Sequence, residues 1–119
     1  MCIRDRNNTS TTRKEDLTHR FYTLMMDNYR EHKEVIFYAD KLHVSSKYLS
    51  EVVKETSGKS PKDWIIDYSL LEIKELLKNS SLNIQEITIR TKFLNQSALG
   101  RFFKRHTNMS PSEYRESTY

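Results

Sequence analysis

The chain has 119 residues, 36% of them apolar, and 20 Lys and Arg against 16 Asp and Glu give a net charge of +4 and a pI near 9.2. That length allows one modest domain or two very small units sharing an element, because units below about 40 residues rarely hold a core alone. One cysteine excludes an internal disulfide, four scattered histidines show no zinc spacing, and no apolar run approaches the roughly 18 residues of a membrane span. The expectation is therefore a soluble, cytoplasmic, mostly helical chain with no cofactor or metal and a mild lean toward polyanions.

The opening MCIRDR resembles a sequencing-adapter translation and is set aside from fold reasoning. Residues 7–16, NNTSTTRKED, are polar and aperiodic, so 1–16 reads as an adapter-like start plus a disordered linker remnant, and the chain as amino-terminally truncated. From Leu17 a helical period sets in, with Leu17, Phe21, Leu24, Met25 and Asn28 on one face of a helix ending near His32. A short helix over about 36–43 should bury Ile36, Ala39 and Leu42. Val44 makes the turn, and Ser45 or Ser46 caps a third helix to Ser57 that buries Leu49, Val52 and Val53 and stops at Gly58. Its exposed positions are Ser46, Lys47, Ser50, Glu51 and Lys54.

Residues 61–79, PKDWIIDYSLLEIKELLKN, start well: Ser60 suits the cap, Pro61 the first position, and Asp63 the first turn. At 100° per residue Ile66, Leu70, Ile73 and Leu77 fall on one line, and Trp64, Tyr68 and Leu71 on the other side, so this helix of about 28 Å is expected to serve two partners. Asn83 and Glu86 form a cap-like pair for a helix through about Thr91 with Ile84 and Ile87 inward. Phe93 and Leu94 make a turn, and Asn95 caps a helix from Gln96 to about His106 that buries Leu99, Phe102 and Phe103, with Asn108 past its end. Here the exposed positions are Gln96, Ser97, Ala98 and Arg101, with Lys104 and Arg105 farther along. Trp64, Tyr68, Phe102 and Phe103 are expected in the core rather than as stacking platforms.

The chain repeats itself. Residue n in 46–64 matches n + 50 in 96–114: Leu49 with Leu99, Val53 with Phe103, Lys54 with Lys104, Gly58 with Asn108, Ser60 with Ser110, Pro61 with Pro111, Trp64 with Tyr114. Upstream the offset is 49, pairing Ala39 with Thr88 and Val44 with Phe93, so the second turn is one residue longer. Two copies of helix, short turn and capped helix make a tandem helix-turn-helix, an all-α fold with a first unit over about 17–58, a linker helix over 61–79 and a second unit over about 82–117. Such a motif lays its second helix in the major groove, and two grooves are read from one side at about 34 Å, a span the linker helix brings within reach of one chain. The alternative is a helical module that binds another protein and uses the repeat only as scaffold. No nucleophile paired with a base, carboxylate cluster or phosphate cradle points to an enzyme.

The segments YADKLHVSSKYLSEVVKETSGKSPKDWI, LLEIKELL and IQEITIRTKFLNQSALGRFFKRHTNMSPSEYR resemble the DNA-binding domain of AraC/XylS-type bacterial transcription regulators over about 38–115. The resemblance implies seven helices, binding to promoter DNA with RNA polymerase as a further partner, and a separate effector-sensing or dimerising domain missing from this chain. It puts base-reading positions on Lys47, Ser50 and Glu51 in the first copy and on Gln96, Ala98 and Arg101 in the second. The sequence departs from the family's pattern at Lys92 and Asn108, where glycine is usual, at Thr88, where alanine is usual, and at Ala98 and Leu99, where an aromatic pair is usual.

Overall fold

A computed structural model describes residues 9–117, with side chains from Arg13 onward. Among the described residues there are seven helices and no strand: α1 (Thr9–Asn28), α2 (Val35–Lys41), α3 (Ser46–Ser57), α4 (Pro61–Asn79), α5 (Ile84–Arg90), α6 (Gln96–Thr107) and α7 (Pro111–Glu116). The chain divides into two compact units, Met1–Ile66 and Asp67–Tyr119, and the division falls inside α4.

In the first unit α1 packs chiefly along α3, and α2 packs against both. Phe21, Met25, Tyr38, Leu49, Val52 and Val53 lose essentially all their solvent exposure. Phe21 meets Tyr38 edge-on at 5.4 Å between ring centroids, and the Tyr38 hydroxyl donates to the His32 carbonyl at 2.6 Å. Burial, reinforced by the nearby Glu34 charge, pushes the Tyr38 phenol well above its ordinary pKa.

Three expectations are corrected here. Helix α1 begins at Thr9, so 9–16, expected as a disordered linker, is helical. What holds that part of the helix is polar: Lys14 pairs with Glu55 at 3.3 Å, and the Thr18 and Thr56 hydroxyls are hydrogen-bonded. An apolar period cannot reveal such contacts. The adapter-like MCIRDR lies outside the described residues. Ile36, expected inward, is 60% exposed, and Tyr38 takes the inward place beside Ala39. The seven-residue α2 turns one narrow face inward, and the bulky ring fills it.

The third correction concerns α4. Ser60 accepts from the Asp63 N–H at 3.2 Å, so the helix starts where expected. Its buried side chains, Ile65, Ser69, Ile73 and Leu77, follow one i, i+4 row. Ile66 and Leu70 are half-buried, and the opposing seam of Trp64, Tyr68 and Leu71 does not form: Trp64 and Tyr68 are half-buried and Leu71 is 57% exposed. An i, i+4 row drifts by about 40° per step, so it winds around the helix instead of making two straight seams. Ser69 Oγ, on that row, has no hydrogen-bond partner among the described residues.

In the second unit Ile73, Leu77, Ile87, Leu99 and Phe103 form the core, ringed by Leu70, Leu76, Leu82, Ile84, Phe93, Phe102 and Tyr114. Phe102, expected in the core, is half-buried, with its ring tilted against Phe93 and edge-on to His106. Burying a side chain of the Leu, Ile or Phe kind contributes about 1.5–3 kcal/mol, so this small cluster is the unit's main source of stability. The carboxyl end of α4 is closed by α7: Arg115 donates to the carbonyls of Leu77 and Leu76 at 2.9 and 3.3 Å, and Lys78 donates to the Ser117 carbonyl at 2.6 Å.

The two helix-turn-helix turns match bond for bond. In the first, the Val44 N–H donates to Ala39 O and the His43 N–H to Asp40 O; in the second, Phe93 donates to Thr88 O and Lys92 to Ile89 O. This is the Schellman arrangement, which needs a left-handed residue past the helix end. His43 (φ 61°) and Lys92 (φ 66°) supply it. The next pair of helix ends also matches, with Gly58 (φ 88°) and Asn108 (φ 65°) each donating its N–H to a lysine carbonyl four residues back. Thr88, which stands where Ala39 does in the first copy, turns its hydroxyl back to the Ile84 carbonyl at 2.8 Å and so is satisfied within its own helix.

Candidate nucleic-acid interface

Each unit presents the start of one capped helix. Ser45 accepts from the Tyr48 N–H at 3.0 Å and fixes the first turn of α3. Lys47, Glu51 and Lys54 are exposed, and Ser46 and Ser50 half-buried. In the second unit Asn95 accepts from the Ala98 N–H at 2.8 Å and fixes α6. Gln96, Ser97, Arg101, Lys104 and Arg105 are exposed, and Ala98 half-buried. The candidates from the sequence thus gather into two groups, one along each capped helix.

The groups differ in charge. Helix α6 carries Arg101, Lys104 and Arg105 and no acid, whereas α3 sets Lys47 and Lys54 against Glu51 and Glu55. Beside α6, Phe93, Ala98, Arg101, Phe102 and Arg105 line a hollow of about 390 Å³. Guanidinium forks suit guanine O6 and N7 as well as phosphate oxygens.

Tyr48 is an exposed residue of α3 that periodicity does not single out. At 46% exposed in the first turn, it is the repeat partner of Ala98. Subtracting 50 from Ala98 finds it. Its aromatic character hid it, since tyrosine in an amphipathic helix reads as core. Leu94, 90% exposed at the longer second turn, and Ile89, 64% exposed, are further apolar side chains on the surface.

A short helix, a tight left-handed turn and a capped, polar-faced second helix, present twice, define a DNA-binding domain of a transcription regulator. The helix-turn-helix domain family matches residues 38–117, and the chain belongs to that family, in its AraC type. Among relatives, the Msm operon regulatory protein of Streptococcus mutans is 31% identical over 78 residues, covering 66% of this chain and 28% of that protein. The C-terminal domain of AraT, a response regulator from Geobacillus stearothermophilus, superposes with a TM-score of 0.75 at 26% identity, covering 87% of this chain and 89% of that one. The DNA-binding domain of AdpA, solved with a target DNA, has the same fold, with a TM-score of 0.70 at 23% identity over 82% of this chain and 88% of that one. The chain spans 32% and 28% of the length of two of the curated relatives it matches, a Bacillus subtilis regulator and the Msm operon regulatory protein. No helix among the described residues is long and apolar enough to cross a membrane.

Proposed function

We propose that the chain reads two successive major grooves of a promoter, α3 in one and α6 in the next. What carries this reading is that each unit offers a side-chain-capped helix whose first turns expose polar and charged groups. Arg101 reads guanine, Gln96 contributes an amide for adenine, Ala98 meets a thymine methyl, and Ser97 contacts the backbone. In the first groove Lys47, Ser46 and Ser50 make base and backbone contacts, and Glu51 accepts from cytosine N4. Lys54, Lys104 and Arg105 lie farther along their helices and neutralise phosphates. Within its whole protein the domain acts in the cytoplasm, beside an effector-sensing or dimerising domain, and its promoter contact recruits or repels RNA polymerase. The AdpA domain's target DNA supports the duplex as ligand.

Selection from a random duplex pool tests this reading. It predicts an enriched site with two parts one helical turn apart, and Arg101→Ala is expected to lose preference at one position by about 5-fold to 150-fold, the worth of a good bidentate contact, with an unchanged thermal midpoint. A pool with no enriched sequence at low salt would leave the domain as a protein-binding scaffold.

A further inference from the structure

Helix α5 reaches α6 directly through a pair of side chains. The Gln85 and Gln96 side chains are joined by a hydrogen bond of 2.6 Å, with Gln96 Nε2 donating to Gln85 Oε1. Both residues are exposed, so packing does not impose the pair. An unrestrained glutamine is a poor reader: it has three rotatable bonds, and ordering it on DNA costs entropy.

We propose that Gln85 is a positioning residue that holds the Gln96 carboxamide in place as an adenine reader. This rests on the role given to Gln96 above. A carboxamide has two N–H donors and an oxygen with two lone pairs, and adenine asks for one of each, an acceptor for N6–H and a donor for N7. The bond to Gln85 uses one N–H, leaving Gln96 one N–H and its oxygen. The two amides can exchange roles and the account still closes, because either arrangement leaves one donor and one acceptor. Exposed to water the bond is worth little, but DNA covering the site excludes water and strengthens it. Its effect therefore falls on the bound state.

The repeat supplies an internal contrast. The first-copy counterparts of Gln85 and Gln96 are Ile36 and Ser46, an apolar side chain and a short hydroxyl. The first unit thus lacks this pair of amides, and the fixed reader belongs to the second unit alone.

The test measures the ratio of affinities for a selected site and for its single-base variants at the α6 position, at one salt concentration so that uniform charge effects cancel. Gln96→Ala is expected to lose the adenine preference. Gln85→Ala is expected to lower it by roughly 2-fold to 10-fold, the equivalent of ordering one long side chain, with an unchanged thermal midpoint and salt slope. In the Gln96→Ala background the Gln85 change is expected to do nothing further, and Gln85→Glu, which keeps an acceptor, is expected to restore the preference. If Gln96→Ala keeps every base preference, the reading role of Gln96 falls and the inference with it. If Gln96→Ala loses the adenine preference while Gln85→Ala keeps it, or if the Gln85 effect persists without Gln96, the inference alone is overturned.

Discussion

Lys92 holds a backbone conformation with φ of 66° that a side chain with a Cβ adopts at a cost of about 1–2 kcal/mol, and His43 holds its equivalent in the first turn. The surrounding hydrogen bonds impose these angles, since both turns are closed by the same pair of bonds. Lys92→Gly is expected to raise stability by about 0.5–1 kcal/mol, the relief of strain exceeding the added freedom of the unfolded chain; a lowered urea midpoint would contradict this. Tyr38 sets a limit at the other end of the pH scale. Its folded pKa lies above the unfolded value near 10, so the unfolded chain releases this proton first, and the contribution, complete below pH 10, is lost as pH rises beyond it. Tyr38→Phe should flatten the alkaline limb of the stability curve, while losing about 1 kcal/mol at neutral pH with the bond to His32. An alkaline limb unchanged by that substitution would assign the titration to another group.

At the scale of elements, the caps and the later helix ends were legible in the sequence because their chemistry is local, whereas the end of α1, expected near His32, falls at Asn28. Asn83 with Glu86, Asn95, Gly58 and Asn108 all stand where side-chain capping or a left-handed residue requires them. The start of α1 was not legible, because its ties to α3 run through Lys14 and Thr18, which carry no apolar period. The line of burial along α4 is hidden in the sequence because it passes through a polar residue, Ser69, while the apolar Ile66 and Leu70 stand next to it and are only half-buried. That row includes Ser69, whose hydroxyl is buried without a partner. Ser69→Ala should leave stability unchanged or raise it by up to about 1 kcal/mol, as measured by thermal or urea unfolding, because it removes an unsatisfied polar group at little cost in volume. Of the candidate site, the positions along α3 and α6 followed from periodicity, and Tyr48 was available from the repeat. Gln85 was not, since the sequence offers no signal that two exposed amides eleven residues apart will meet.

At the scale of the molecule, α3 and α6 carry unequal charge, and under the proposed function this makes a prediction about affinity rather than fold. Each phosphate contact contributes a slope of about −0.9 to the dependence of log affinity on log salt. Replacing Lys104 and Arg105 together by alanine should therefore flatten the slope by up to about 1.8. The Lys54 change should flatten it by no more than about 0.9. Equal changes from both sets would argue against an electrostatic anchor on α6. The boundary between the units lies between Ile66 and Asp67, in the middle of a continuous helix. Anyone exchanging one half for that of a cousin must therefore splice within a helix, where inserting or dropping a single amino acid turns everything after the cut by about 100° about the helix axis, while Ile73 and Leu77 keep Ile87, Leu99 and Phe103, which also follow the cut. Hybrids of this kind are best cut in steps of seven, close to two full turns, so that the borrowed half keeps its register.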